Sequence, residues 1–174
     1  MNVIASFDII LTRRIQSLPR SWQSPMSVAT FFGEPVVILA VSLFAAGISW
    51  KQNHTLVAKA LIAVIVASGI NGILKYFFHR PRPETLYVSH MRFKSYSFPS
   101  GHSFSSLLLY GLLAYVAYSH LNSLWGWIAI ALASIGIFAI GLSRVYLGAH
   151  FPTDVLAGWV LSVFCLFGIA HYFL

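Results

Sequence analysis

Charged residues are scarce in this sequence. Asp, Glu, Lys and Arg make up 9% of its 174 residues, whereas hydrophobic residues make up 58%. An average soluble domain carries about a quarter charged residues. A chain with so little charge cannot present an ordinary water-facing surface. This excludes a typical soluble globular protein and favours a molecule surrounded by lipid.

Acidic residues are the rarest of the charged types. Four Asp and Glu stand against eleven Lys and Arg, which gives a formal net charge of +7. Because acids are so few, each one needs a specific reason to be present. A basic balance in a membrane protein points to anionic lipid headgroups or to a phosphorylated substrate. Nucleic acid is not expected as a partner, since no soluble basic face exists to bind it.

Cysteine is almost absent, and so is the pattern of a cleavable signal peptide. Cys165 is the single cysteine, which excludes an intrachain disulfide, and its apolar surroundings indicate a small packing residue. The start of the chain is apolar, but Asp8 interrupts it and Arg13 and Arg14 follow it. A signal peptide would place its positive charge first.

Long apolar runs, in contrast, are abundant. A spanning helix needs about 20 mostly apolar residues, and the sequence contains five such runs. They extend from about Pro35 to Trp50, from about Leu56 to Phe78, from Ser100 to near His120, from about Leu124 to Leu142, and from Pro152 to the C-terminus. We therefore predict an all-α fold, a polytopic transmembrane helical bundle in which residues 1–174 form one membrane-embedded domain.

Residues 1–34 have a different pattern. Apolar side chains recur there at helical spacing, with Arg13, Arg14 and Gln16 on the other side. The apolar positions are Phe7, Ile10, Leu11, Ile15 and Leu18. This pattern predicts either a helix that lies in the membrane interface or a sixth, partly inserted helix.

Three polar clusters lie at the ends of these runs, and counting helices places all three on one side of the membrane. The first follows the second span, and the second precedes the third span. Two further spans return the chain to the same side, where the third cluster precedes the fifth span. Side chains distant in sequence can therefore share one site.

The first cluster is the stretch KYFFHRPRP, from Lys75 to Pro83. A charge near the bilayer is costly, so Lys75 and Arg82 are functional candidates. An Arg fork matches the geometry of phosphate, and Lys provides a mobile positive charge. For Arg80 we favour the simpler interpretation, a side chain that extends from a helix end to the membrane surface.

The second cluster is Pro99-Ser100-Gly101-His102. Ser100 is a good N-cap for the third span, and Gly101 leaves its backbone open to a ligand. The free N–H groups and the dipole of that helix form an anion site. His102 then lies in the first turn and faces the anion.

The third cluster contains Ser143-Arg144, His150 and Asp154. Pro152 suits the first turn of the fifth span, so Asp154 lies in that turn, four positions after His150. A carboxylate beside one ring nitrogen fixes the tautomer of an imidazole and frees its other nitrogen. This arrangement predicts an oriented histidine nucleophile, and Arg144 would add a third cation.

In this order, the clusters resemble the motifs of the type 2 phosphatidic acid phosphatase (PAP2) superfamily, in its bacterial membrane lipid phosphatase branch. The matching positions are Lys75 with Arg82-Pro83, Pro99-Ser100-Gly101-His102, and Ser143-Arg144 with His150 and Asp154. The resemblance covers residues 75–154, and no motif position departs from the family pattern. Residues 1–70 carry no comparable signature.

The resemblance implies a membrane enzyme that hydrolyses a phosphomonoester or pyrophosphate on a lipid headgroup through a phosphohistidine. It implies no metal and no other cofactor. His150 is the implied nucleophile, Asp154 orients it, and His102 protonates the leaving oxygen. The implied phosphate-binding residues are Lys75, Arg82, Ser100, Gly101 and Arg144.

The expected substrate is an amphiphilic lipid phosphate, because aromatic and basic residues flank the approach to the site. These residues are Tyr87, Arg92, Phe93, Lys94, Tyr96 and Phe98. The family suggests undecaprenyl pyrophosphate, phosphatidylglycerol phosphate, phosphatidic acid and lipid A as candidates. Nothing in the sequence selects one of them or indicates an oligomeric state.

Other functions are compatible with parts of the pattern. A metallohydrolase could use His102, His150 and Asp154 as ligands, although three nearby cations disfavour a bound dication. A transporter for an anionic lipid or phosphate could use the same cations and helix ends, but it would gain nothing from an acid beside His150. A catalytically silent scaffold and a phosphotransferase with the same phosphohistidine are the remaining alternatives.

The sequence and the resemblance disagree on orientation. Most basic residues, including Arg13, Arg14 and Arg20, lie on the side of the proposed site, and only Lys51 and Lys59 lie on the other. The positive-inside rule places the more basic side in the cytoplasm. The resemblance implies a multi-pass inner-membrane protein whose site faces the extracytoplasmic side. Because catalysis claims several of the basic residues, we expect the extracytoplasmic orientation.

Overall fold

The described part of the chain is helical throughout. The computed structural model describes residues 3–90 and 95–174, and no strand occurs among them. The elements are α1 (Val3–Gln16), a short 3-10 helix (Arg20–Trp22), α2 (Gln23–Phe32), α3 (Pro35–Lys51), α4 (Thr55–Phe78), α5 (Leu86–Ser89), α6 (Gly101–His120), α7 (Ser123–Tyr146) and α8 (Pro152–Phe173).

Three of these helices, α4, α7 and α8, are long and apolar enough to cross a membrane. A fourth crossing is available if Arg20–Phe32 and Pro35–Lys51 act as one broken span, with a bend of 48° between them. The all-α transmembrane bundle predicted from the sequence is therefore confirmed, and the protein is a membrane protein. The count of five spans stays a prediction.

Helix α6 is long enough to span, but its composition is less apolar because it lies inside the bundle. Its 20 residues correspond to a length of about 30 Å. It contacts α3, α4, α7 and α8, and Ser103, Ser105 and Ser106 are buried along it. A helix surrounded by other helices does not need the uniformly apolar surface that lipid demands.

The packed core lies mainly between α4 and α6, and long apolar side chains cover the outside. Leu61 and Val64 of α4 meet Leu108, Leu109 and Leu112 of α6, and each of these residues is at most 1% exposed. Large side chains such as Phe44, Phe77, Phe164 and Phe167 are more than 70% exposed. An outer surface of this kind suits contact with lipid chains.

The N-terminal helix differs in detail from its predicted form. Helix α1 has 14 residues and is about 21 Å long, which is shorter than the hydrocarbon core of about 30 Å. Its described length is thus less than a full crossing, and its placement in the interface or partly inserted stays a prediction. It ends before Leu18, and its apolar residues Phe7 and Ile10 are exposed, whereas its buried residue is Asp8. Phe7 and Ile10 of the predicted apolar stripe thus face away from the protein, Leu11 and Ile15 are half-buried, and the charge of Asp8 faces inward.

The bundle brings the ends of four helices to one side. The backbone N–H of Ser100, before α6, donates to the carbonyl of Asp154, in the first turn of α8 (3.0 Å). At the opposite end of the bundle, the rings of His54 and His120 lie 5.7 Å apart. The three polar clusters therefore share one side, as the helix count predicted.

Candidate active site

One cavity of about 970 Å³ opens at this side of the bundle, and it gathers most of the residues selected from the sequence. Its lining includes Lys75, Arg82, Gly101, His102, Arg144 and His150. Ser100 and Asp154 are fully buried directly behind the lining. The structure thus brings together all eight sequence-predicted residues, which come from α4, the segment after it, and the ends of α6, α7 and α8.

His150 and Asp154 form the centre of the cavity wall. Nδ1 of His150 lies 3.5 Å from Oδ2 of Asp154, slightly beyond ordinary hydrogen-bond length. The same Oδ2 accepts the backbone N–H of Phe151 (2.9 Å), which fixes the carboxylate at the start of α8. Nε2 of His150 faces Arg82, with 3.4 Å between Nε2 and Nη1.

The surroundings of His150 favour the uncharged form of its imidazole. It lies in the loop between α7 and α8 and is 1% exposed. Burial lowers the pKa of His150 well below its usual value, and the positive charges of Arg144 and Arg82 lower it further. A neutral imidazole has a free lone pair on one nitrogen, so His150 can act as a nucleophile.

The cationic side chains are held in place by neighbouring groups. Arg82 donates from Nε to the carbonyl of Ser95 (2.7 Å) and from Nη1 to the carbonyl of Ala149 (3.0 Å). Burial and then the charge of Arg144 lower the pKa of Arg82. Like charges brought together out of water favour an anion between them.

Arg144 and Lys75 complete the positive wall. Arg144 lies in the last turn of α7 and donates to the hydroxyls of Thr30 and Tyr87, the latter at 3.2 Å. Lys75 is buried in the last turn of α4, with 3.5 Å between Nζ and the carbonyl oxygen of Tyr96. These anchors leave the cations fixed before any ligand arrives, which is the preorganisation that phosphate chemistry uses.

The start of α6 is capped as predicted. The cap engages the hydroxyl of Ser100 in hydrogen bonds within the helix. That oxygen accepts from the N–H of Ser103 (3.4 Å) and from the Ser103 hydroxyl (2.9 Å). Ser100 does not line the cavity, whereas Gly101 does. A Cβ added to Gly101 would lie 3.8 Å from Nζ of Lys75, so the backbone of Gly101 directly adjoins this cation.

A carboxylate that the sequence did not select, Glu34, lies beside His102. Oε1 of Glu34 is 3.3 Å from Nε2 of His102. The hydrogen bond with His102 lowers the pKa of Glu34, and the charges of His102 and Arg144 act in the same direction against the effect of burial. A Cβ added to the preceding Gly33 would lie 3.0 Å from Cδ2 of His102, so the α2–α3 junction packs directly on this ring.

Arg80 is the second residue that the sequence did not select, and here our interpretation was wrong. Its guanidinium does not extend to the membrane surface but binds two buried carboxylates. Nη1 donates to Oδ1 of Asp154 (2.6 Å) and Nη2 donates to Oδ2 of Asp8 (2.6 Å). The rarity of acids was the one signal that could have indicated these pairs.

The described surroundings of the cavity contain no group of metal ligands and only part of the expected approach. Among residues 3–90 and 95–174, no three His, Cys, Asp or Glu side chains are grouped so that they could hold a metal ion. Of the residues expected to flank the approach, Tyr87 lines the cavity. Arg92, Phe93 and Lys94 lie outside the described residues.

Two known proteins are similar in sequence to this chain. Phosphatidylglycerophosphatase B of Bacillus subtilis (strain 168) is 28% identical to this chain over 178 residues, which cover 95% of this chain and 83% of that protein. Undecaprenyl-diphosphatase of Sulfolobus acidocaldarius is 29% identical over 117 residues, which cover 65% of this chain and 53% of that protein.

A solved structure has the same fold. It is the crystal structure of a transmembrane PAP2-type phosphatidylglycerolphosphate phosphatase from Bacillus subtilis, which superposes with a TM-score of 0.86 at 27% identity and covers 99% of this chain and 87% of that chain. A family model for the PAP2 superfamily matches residues 56–174. That match includes the helices that supply the cations and histidines of the cavity. The chain therefore belongs to the PAP2 superfamily.

Proposed function

We propose that this protein is an integral membrane lipid phosphatase that uses a phosphohistidine intermediate and no metal ion. Its named relatives hydrolyse phosphoric esters, and this chain is an enzyme of that class. The observation that supports the mechanism best is the position of His150. It is backed by Asp154 and shares a single cavity with three cations and His102.

Phosphate binding is assigned to the positive wall and to the start of α6. Lys75, Arg82 and Arg144 neutralise the phosphoryl oxygens, and the N–H groups of Gly101 and His102 add hydrogen bonds at the positive end of the helix dipole. Ser100 holds the shape of this helix start through its cap. Preorganised charge of this kind is usually the largest catalytic contribution.

The first chemical step transfers the phosphoryl group to the enzyme. Nε2 of His150 attacks phosphorus, and the bond from phosphorus to the lipid oxygen breaks with its electron pair on that oxygen. In the bound complex, the negative phosphate and Glu34 favour the protonated form of His102, which donates its proton to the leaving oxygen. Asp154 holds the imidazole in place and stabilises the positive charge that His150 gains.

The second step returns the enzyme to its starting state. Water attacks the phosphorus atom and gives its proton to His102, and the N–P bond breaks with its electron pair on His150. Inorganic phosphate is released, and His102 is again protonated for the next cycle. The three cations supply the electrostatic stabilisation that a metal supplies in other phosphatases, so turnover should be insensitive to chelators.

The shape of the cavity suits an amphiphilic substrate. Beside the charged residues, its lining includes Ile38 and Leu39 of α3 and Ile65 of α4. A phosphate at the charged end can therefore keep its hydrocarbon chain between these two helices. Phosphatidylglycerol phosphate and undecaprenyl pyrophosphate are the first candidates, because relatives are named for them. Phosphatidic acid and lipid A complete the set suggested by the sequence.

The decisive experiment measures phosphate release from these four lipids in detergent, with and without a chelator. His150→Ala should lower turnover of the preferred lipid by at least about a thousandfold, as expected for loss of a nucleophile. His171→Ala, which changes an exposed histidine far along α8, should leave turnover unchanged. Near-normal turnover of His150→Ala, or a rate abolished by the chelator, would refute the mechanism. Uptake of intact lipid without phosphate release would support a transporter instead.

A further inference from the structure

The N-terminal helix α1 places one carboxylate next to the acid of the proposed site. We propose that Asp8 is a positioning residue for the reaction, which acts through Arg80 on Asp154 and makes α1 part of the catalytic apparatus. This inference rests on the proposed function. Asp8 precedes all three motif clusters in the chain, and none of the roles assigned above includes it.

The contacts between these residues form a closed cluster. The Arg80 guanidinium joins Asp8 and Asp154 through separate nitrogens, each at 2.6 Å. Asp8 also accepts two bonds from Thr153, from its N–H at 2.9 Å and from its hydroxyl at 2.7 Å. Asp8 is 1% exposed and Asp154 is fully buried, so water screens these charges little.

The two oxygens of the Asp154 carboxylate have different partners, and this explains how Asp8 can influence the position of the His150 imidazole. Oδ1 receives Nη1 of Arg80, and Oδ2 receives the N–H of Phe151 and faces His150. Because one oxygen is fixed by Arg80, the carboxylate cannot rotate away from the imidazole. Arg80 in turn is fixed at its other nitrogen by Asp8. Nδ1 of His150 is therefore aligned through a chain of contacts that begins on α1.

Charge balance gives Asp8 a second effect. Arg80 carries one positive charge and lies between two carboxylates, so one negative charge remains in the cluster. That remaining charge can balance the positive charge that His150 acquires during phosphoryl transfer. If Asp8 were neutral, Arg80 would cancel the charge of Asp154, and the transition state would lose this stabilisation.

The main test is Asp8→Asn, assayed as phosphate release from the preferred lipid. The amide keeps the shape of the side chain, and its single oxygen can still accept the N–H of Thr153, whereas its NH2 group takes the place of the oxygen that bonds Arg80 and the Thr153 hydroxyl. We expect kcat to fall about tenfold with KM within about twofold, because an effect confined to the transition state lowers kcat alone. Glu84→Gln removes a negative charge from an exposed acid in the loop after Arg82 and should leave both constants unchanged. Wild-type kcat in Asp8→Asn, or a higher KM with unchanged kcat, would overturn the proposal.

A double variant separates action through Arg80 from a general structural role. Arg80→Gln leaves the carboxylates of Asp8 and Asp154 buried without the cation between them. Their mutual repulsion should make this the least favourable of these variants. Removing the charge of Asp8 as well relieves that repulsion, so Asp8→Asn/Arg80→Gln should have a higher kcat than Arg80→Gln alone. If Asp8→Asn lowers kcat by the same factor in both backgrounds, Asp8 acts independently of Arg80 and the inference is wrong.

A third variant covers the case in which Asp8→Asn does not fold. Asp8→Glu keeps the charge and moves the carboxylate by one methylene, so an intermediate kcat with unchanged KM and melting temperature supports positioning. A wild-type kcat in Asp8→Glu would overturn the proposal that Asp8 is a positioning residue. Failure of the proposed function would look different, since the wild-type chain itself would then release no phosphate.

Discussion

His150 lies outside the helices, and the depressed pKa of its imidazole has a direct consequence for pH dependence. Burial and the charge of Arg144 oppose protonation of the ring, so we expect it to stay a nucleophile as the pH falls through the usual histidine value of about 6.5. The profile of kcat/KM reports groups of the free enzyme. After correction for the second ionisation of the substrate phosphate, the acid limb of the kcat/KM profile should lie below the usual pKa of histidine. Measuring kcat/KM in buffers from about pH 5 to pH 8 checks this, and an acid limb centred at the usual value would contradict it.

Glu34 allows a second prediction at this scale, based on its distance of 3.3 Å from His102. If the carboxylate stabilises protonated His102, Glu34→Gln should lower kcat for an alkyl phosphate about tenfold, a fraction of the full effect of a general acid. The same variant should leave the first-turnover release of nitrophenolate from p-nitrophenyl phosphate nearly unchanged, because nitrophenolate leaves without a proton and this release precedes the step in which His102 activates water. His102→Gln should show the same preference more strongly. Equal losses on both substrates would assign Glu34 a structural role instead.

Individual residues differ in how far the sequence could predict them. Lys75, Arg82 and His150 were predictable because fixed spacing to a helix end determines which side they reach. Asp8, Glu34 and Arg80 were not, because each is defined by a partner on a distant helix. Their pairing depends on how α1 and the α2–α3 junction dock, and local spacing contains no information about docking.

At the scale of elements, α8 lies unusually close to the start of α6. A Cβ added to Gly158 would lie 2.7 Å from the carbonyl oxygen of Ser100, which is backbone and cannot move aside easily. Gly158→Ala should therefore destabilise the protein by about 1–3 kcal/mol and lower kcat, since Ser100 and Asp154 would be pushed apart. Thermal unfolding in detergent and phosphate release measure the two effects.

Gly168 is the matched control on the same helix. No atom lies within 4 Å of a Cβ added there, so Gly168→Ala should be neutral or stabilising by up to about 1 kcal/mol through helix propensity. Equal melting temperatures for the two variants would show that the close approach of α8 and α6 contributes nothing to stability.

Helix boundaries were predictable wherever composition changes abruptly. The start of α8 at Pro152 and the end of α4 at Phe78 were predicted correctly. Helix α7 continues to Tyr146 instead of ending near Leu142, because its last turn is buried against protein and tolerates Arg144. The inward side of α1 could not be predicted, because its sequence pattern gave no sign that Asp8 would be its buried residue.

For the whole molecule, orientation in the membrane is the main open prediction. Arg80 is neutralised by two acids, and Lys75, Arg82 and Arg144 are committed to the cavity, so the basic residues of this side are poor topological signals. We expect the cavity to face the extracytoplasmic side of the inner membrane. In a Cys165→Ala background, Ser89→Cys should react with an impermeant maleimide in intact cells.

Gln52→Cys, in the loop at the other end of the bundle, should react only after the cells are permeabilised. Both positions are exposed, so accessibility to water does not distinguish them. The opposite labelling pattern would place the cavity in the cytoplasm and would restrict the substrates to lipids of the inner leaflet.

The contact between Asp8 and Thr153 joins positions 145 residues apart, which determines when the enzyme can first become active during its synthesis. A ribosome delivers α1 to the translocon long before α8 is made. Until residues 150–154 are made, Asp8 has no backbone N–H from which to accept, and neither His150 nor its carboxylate partner is present. A nascent chain that stalls before this point lacks the groups of the proposed reaction, so on this mechanism it cannot act on the surrounding lipids before α8 is in place.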